Sequence, residues 1–213
     1  MKRRVVISLC DLTGNFVKPW VEAGYDAILV DPQHGDYKDE GRVTSLPLTV
    51  EEFVEHGDLE GLDISFVAGF PPCTDLAVSG ARWFKDKAAK DPYFQVQAVR
   101  VVEQCRMVGM MSGAPWFVEN PVSVLSSILG KPDYSFHPWW FTGYGAPEDH
   151  YTKKTCLWAG GGFTMPEGEA DADLVDVAPD DRIHKAGPGP DRANFRSATP
   201  MGFARAVFEA NHA

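Results

Sequence analysis

DISFVAGFPPC, residues 63–73, is an apolar run that opens into a glycine, a phenylalanine, two prolines and a cysteine. Asp63 to Ala68 is the right length for a strand and is apolar on both faces, as in strands buried within a parallel sheet. Working outward from it, RVVISL (Arg4–Leu9) and AILV (27–30) upstream and WFV (116–118) downstream are further short apolar runs, and a strand is expected near 42–46. Between them lie helical patterns. Asn15 is placed to cap a helix over 16–23 that Gly24 closes, with Pro19 tolerable only in its first turn. An acidic helix covers 50–56, and Phe94, Val99, Val102 and Met107 recur at helical spacing within 92–111. A short helix at 122–129, strands near 134–139 and 155–159, and a closing helix over 199–211 complete the order. Strands alternating with helices predict an α/β fold: one domain over residues 1–213, with a doubly wound, mainly parallel sheet.

Such sheets bind ligands at the carboxyl ends of their strands. The unusual residues gather there: Thr13 and Gly14, Asp31, the Pro-Pro-Cys loop and Glu119. The glycine turn in SLCDLTGNF (8–16) would cradle a nucleoside cofactor at a helix N-terminus, or be an ordinary α/β turn. Asp31 would accept hydrogen bonds from ribose hydroxyls, or simply begin a turn before Pro32. Cys73 follows two prolines at a strand mouth, where a thiol is accessible and rigidly held, as a nucleophile requires. Most free cysteines are small buried hydrophobes, and Cys10, Cys105 and Cys156 fit that description. Glu119, after Trp116, Phe117 and Val118, is a carboxyl in apolar surroundings that could share a proton with a ring nitrogen, or else a strand-end acid paired with a surface base.

The formal net charge is −10, from 30 acids against 20 Lys and Arg. Duplex DNA binding draws on phosphate neutralisation, so this balance favours a nucleotide, a small molecule, or a partner that handles nucleic acid. Residues 163–195 form an acidic Gly- and Pro-rich stretch, with seven acids from Glu167 to Asp181 and no Lys or Arg among them, and read as a solvated, partly mobile loop. Four scattered cysteines without CxxC argue against a disulfide framework or a metal site, and toward a cytoplasmic location. MKRRVVISLC has too short an apolar stretch for a signal peptide, and no run approaches the roughly 20 residues of a membrane helix.

Pro71-Pro72-Cys73-Thr74-Asp75-Leu76, Ser79-Gly80-Ala81-Arg82-Trp83, Glu119-Asn120-Pro121 and Lys154-Thr155-Cys156-Leu157-Trp158 together resemble a short, phage-associated branch of the cytosine-C5 DNA methyltransferases. The likeness covers most of residues 4–160, and 196–206 is similar to the family's C-terminal helix. The resemblance implies a Rossmann-like fold of the S-adenosylmethionine-dependent methyltransferase type, in a host cytoplasm if the chain is phage-encoded. It implies Cys73 as nucleophile at pyrimidine C6 and Glu119 holding N3 and the exocyclic amine. Lys154, or Lys153, would replace the family's Gln-x-Arg cation, and Arg82 would contact a phosphate or carbonyl. S-adenosyl-L-methionine would lie among Leu9, Thr13, Gly14, Asn15, Asp31, Pro32, Phe70 and Pro72. The family's long target-recognition region is replaced here by the acidic stretch, so the expected substrate is cytosine-containing single-stranded nucleic acid or a nucleotide. The aromatic run FHPWWFTGY (136–144) would stack a base or fill the core. Two rivals remain: a non-catalytic S-adenosylmethionine-binding accessory protein acting through a protein partner, and an unrelated cysteine enzyme on the same kind of sheet.

Overall fold

The computed structural model describes residues 3–56, 59, 61–185, 187 and 192–212. The chain runs β1 (Arg4–Leu9), α1 (Lys18–Glu22), β2 (Asp26–Val30), β3 (Lys38–Glu40), β4 (Val43–Leu46), α2 (Val50–His56), β5 (Asp63–Gly69), α3 (Phe84–Lys90), α4 (Phe94–Ser112), β6 (Trp116–Pro121), α5 (Leu125–Ile128), β7 (Tyr134–Phe136), β8 (Thr155–Gly160), α6 (Arg182–Lys185), α7 (Arg192–Ser197) and α8 (Met201–Asn211). The strands form one 8-stranded sheet in the order β3-β4-β2-β1-β5-β6-β8-β7. From β4 through β6 the neighbours are parallel; β3, β8 and β7 are each antiparallel to the strand they join.

The apolar strands are buried on both faces because the chain covers both. Along β1, Val6 belongs to one core and Val5, Ile7 and Leu9 to the other, the two-residue alternation of a strand. The first core is aromatic. Phe16, Trp20, Phe66 and Phe117 pack together beneath α1 and α8, with Phe136, Phe141 and Phe203 continuing the layer. The second is aliphatic: Val50 and Phe53 of α2 and Val102, Cys105 and Val108 of α4 cover the opposite face. Each fully buried side chain of this size contributes about 1.5–3 kcal/mol through area removed from water.

The chain winds from β1 to β2 and β4 on one side, then crosses to β5 and β6 on the other, so the strand order reverses between β1 and β5. The turn after β1 and the Pro-Pro-Cys loop after β5 flank this point, where open α/β sheets bind ligands.

Several elements differ from expectation. Helix α1 starts at Lys18 with Val17 as its cap; Asn15 instead donates from Nδ2 to Thr199 O at 3.3 Å, and its Oδ1 takes the Lys18 ammonium. Strand β6 runs on through Pro121 because antiparallel β8 pairs with it to that point, which places Glu119 inside the strand. The strand expected over 134–139 stops at Phe136, and Pro138, without an N–H to donate, opens a 3-10 turn instead. Strand β3 and helix α3 went unforeseen: β3 is wholly exposed and polar, and α3 buries no residue to reveal a periodic face. The acidic stretch is fastened rather than free over its first part. Gly143 N–H donates to Glu169 O, Asp171 N–H to Thr142 Oγ1, Tyr144 OH to Glu167 O and Thr152 N–H to Asp180 O, all within 3.0 Å.

Among the described residues, no helix is long and apolar enough to cross a membrane.

Candidate functional site

Strand β5 ends at Gly69, where a Cβ would lie 2.8 Å from Cys105 Cβ on α4. Only a glycine lets the strand end and helix approach this closely. The chain then passes through Phe70, packed against Phe16 and Phe117, into the prolines. Asn120, fully buried on β6, donates from Nδ2 to Pro71 O at 3.1 Å and ties the Pro-Pro-Cys loop to the neighbouring strand. Beyond Cys73 the loop is held twice more. Val78 N–H and Val124 N–H make reciprocal bonds with Val122 O and Leu76 O at 3.0 Å, and Lys87 pairs with Asp75 at 2.6 Å while donating to Thr74 O. Cys73 O accepts from Leu76 N–H and Ala77 N–H. Its thiol is thus half-buried on a loop fastened at several points, rather than on a flexible tip.

Glu119 lies on the adjacent strand. Its Oε1 is shut off from solvent with no hydrogen-bond partner among the described residues, and Lys153 Nζ lies 3.9 Å from it. Burial pushes the carboxyl above its usual range, against the pull of Lys153. Burial also raises the Cys73 thiol, Glu119 adds to the rise, and Lys153 and Arg196 oppose it. Cys73, Glu119, Lys153 and Arg196 therefore form one electrostatic unit. Glu119 and Lys153 line a narrow cleft with Phe70, Thr155, Ser197 and Thr199.

The cation beside Glu119 is Lys153. Thr155, the first residue of β8, is buried on the cleft side, so Lys153 two positions earlier shares its side, while Lys154 is exposed and acts on Cys156 instead. Arg82 is exposed too, its guanidinium 5.1 Å from the Trp83 ring, and it is not among the charges that act on Cys73. Trp139 and Trp140 pack edge to face away from the cleft; of the aromatic run, Phe136 reaches it, and Phe136 and Phe141 fill the core.

On the other side of the switch point, Asp11 builds the turn after β1. Its Oδ1 accepts from Thr13 N–H, Thr13 Oγ1 and Gly14 N–H, and its Oδ2 from Ser8 Oγ. Gly14 has φ +64°, a left-handed conformation suited to glycine. Asp31 is buried; Oδ1 takes Gln33 N–H at 2.8 Å, and its second oxygen takes no hydrogen bond among the described residues. That oxygen is the free acceptor a ribose hydroxyl needs, so the turn and Asp31 fit a nucleoside cofactor. Leu9 lies under the site: its side chain is fully buried and its carbonyl accepts from Phe70 N–H. Asn15 is engaged with Thr199, Pro32 starts a 3-10 turn, and Pro72 is exposed along a separate groove between the Pro-Pro-Cys loop and the start of α4.

Three contributors were not singled out from sequence. Asp11 and Asn120 act through backbone groups, which leave no motif of their own, although Asn120 sits beside Glu119 in the quoted motif. Arg196 comes from α7, far along the chain, and only folding brings it to Cys73. All four cysteines are free; Cys105 and Cys156 are buried, and Cys10 is half-buried just past β1 with φ 56°. Among the described residues no group of three or more His, Cys, Asp or Glu could hold a metal ion. Comparison with protein-family models finds no match, and comparison with curated proteins finds none either.

Proposed function

We propose that this chain transfers a methyl group from S-adenosylmethionine to C5 of a cytosine-type base, in DNA or in a nucleotide, through a covalent adduct of Cys73 at C6. One observation carries the reading: the loop after β5 places the Cys73 thiol within the field of Glu119, a buried carboxyl with an oxygen that has no hydrogen-bond partner among the described residues, and Glu119 lines a cleft near a turn suited to a nucleoside. The motifs that resemble the cytosine-C5 methyltransferases supply those same two residues.

The residues divide the work as follows. Burial raises the carboxyl of Glu119 above its usual range, which suits it to deliver a proton to ring N3, its Oε1 having no hydrogen-bond partner among the described residues and so being free to meet the ring. Protonation at N3 draws electrons from C6, and the Cys73 sulfur adds there. Giving up that proton leaves Glu119 a carboxylate balanced by the protonated ring, while Lys153 and Arg196 favour the Cys73 thiolate. Addition at C6 turns C5 into an enamine-like carbon. The Asp11-built turn and Asp31 would hold S-adenosylmethionine, whose sulfonium would supply an electrophilic methyl group to that carbon and leave as S-adenosylhomocysteine. A base then removes the C5 proton, the C6–S bond breaks, and N3 returns its proton to Glu119. Asn120 keeps Pro71, and with it the thiol, in place throughout.

The test is incubation with methyl-labelled cofactor and, separately, DNA, RNA and deoxycytidine nucleotides. Label is expected at cytosine C5 in a DNA or nucleotide arm and not with Cys73→Ser. No label in any arm, or label undiminished in Cys73→Ser, contradicts the reading.

A further inference from the structure

Helix α7 carries a charge, Arg196, next to a residue that lines the cleft, and the methyl-transfer scheme uses it only at a distance. Arg196 makes no ion pair among the described residues, and its Nε is shut off from solvent with no hydrogen-bond partner. A buried donor left this way costs about 1–3 kcal/mol, and an anionic acceptor removes the cost. The helix spans the carboxyl edge of the sheet. Asn194 Nδ2 donates to Gln33 Oε1 at 3.3 Å, next to Asp31, and just past the helix Thr199 O accepts from Asn15 Nδ2. Ser197, the residue after Arg196, lines the cleft with Glu119 and Lys153. Lys153 and Arg196 thus both act electrostatically on the Cys73 thiol in a chain with net charge −10, and Glu119, the carboxylate that acts with them, is paired with Lys153 rather than Arg196.

We propose that Arg196, with Lys153, forms an anion subsite that takes a phosphate of the pyrimidine nucleotide whose ring meets Cys73. A guanidinium is suited to the task because its planar fork gives two parallel bonds to phosphate oxygens and keeps its charge at any working pH. The bound group is either the monoester of a free nucleotide or a phosphodiester of a strand; the chemistry at Arg196 is the same. The proposal rests on reading the cleft as a pyrimidine site.

Alkylation of Cys73 by iodoacetamide, followed by peptide mapping, reads the subsite without any methyl transfer. The full chain is treated alone, then with inorganic phosphate, deoxycytidine, deoxycytidine 5′-monophosphate or a short cytosine-containing single strand. Protection is expressed relative to the same variant without ligand. In the native protein phosphate protects saturably, and the monophosphate protects at concentrations about tenfold or more below deoxycytidine, the scale of a charge-assisted hydrogen bond. Arg196→Gln removes this phosphate dependence, and Arg196→Lys keeps part of it, with the melting temperature confirming that both variants fold. The monophosphate outperforming the strand identifies a monoester, and the reverse identifies a phosphodiester; both support the subsite. Protection by phosphate that no cytosine compound improves on leaves the subsite standing and removes the pyrimidine reading. Equal protection by deoxycytidine and its monophosphate with none from phosphate overturns the proposal, as does native phosphate dependence in Arg196→Gln.

Discussion

Burial opposes the ionisation of both Cys73 and Glu119, and the action of the carboxyl on the thiol gives direct expectations. Replacing Glu119 with Gln removes the charge that raises the thiol, so alkylation of Cys73 at neutral pH should quicken. Turnover should nonetheless fall by about 10²–10³, the usual cost of losing one preorganised proton-donating group. Slower alkylation in Glu119→Gln would show that the carboxyl does not act on the thiol. Asp31→Ala should weaken S-adenosylmethionine binding by about 1–3 kcal/mol, as expected for hydrogen bonds to a charged acceptor; unchanged affinity by calorimetry would remove Asp31 from the site. Cys73 was legible as a candidate because it follows two prolines at a strand mouth, and Glu119 because it sets an acid after an apolar run. Choosing between Lys153 and Lys154 was not, since their order tells nothing until the strand's facing is known, and Thr155 settles that only once folded.

At the scale of elements, the cleft depends on how α4 and α8 dock. Gly69→Ala would drive a Cβ into Cys105 and should destabilise the fold by about 1–3 kcal/mol through overpacking, measured by denaturant titration; a neutral result would mean that α4 can shift freely. Helix α8 has no side-chain cap from its own Pro200, and Asp149 supplies one from afar: Gly202 N–H donates to its Oδ2 at 2.8 Å. Burial pushes this carboxyl up to about 6, against the pull of these backbone donors. A carboxyl whose folded value lies above its unfolded one binds its proton more tightly in the native state. Its contribution is therefore present at low pH and lost as pH rises from about 4 to 6. In Asp149→Asn that component of the pH dependence of the melting temperature should vanish, while an unaltered profile would assign the dependence elsewhere. The closing helix was legible from Phe203 and Val207, its remote cap was not, because Asp149 lies on a distant turn.

Across the whole molecule, the parallel core was legible because its strands are short continuous apolar runs, and so was the convergence of unusual residues at their carboxyl ends. The edge strand β3 was harder to see, as its three residues are exposed and polar and leave no pattern, whereas β7 was expected near 134–139 and only its end differs. Charge sets a further expectation. Extruding a base from a duplex costs a few kcal/mol, normally offset by phosphate contacts, and this chain carries ten more acids than Lys and Arg. With target base at equal concentration and low salt, initial rates should be higher on single strands or nucleotides than on duplex; fastest reaction on duplex at one defined sequence would reveal a recognition surface elsewhere on the chain. All these expectations depend on a covalent step at one thiol, and intact-mass spectrometry with a 5-fluorocytosine substrate and cofactor reads that step directly, because fluorine at C5 cannot leave as a proton and the adduct persists. A mass increase equal to the methylated fluoropyrimidine, mapped to Cys73 and missing in Cys73→Ser, is the expected result; methyl transfer to cytosine with no such adduct on Cys73 would contradict it.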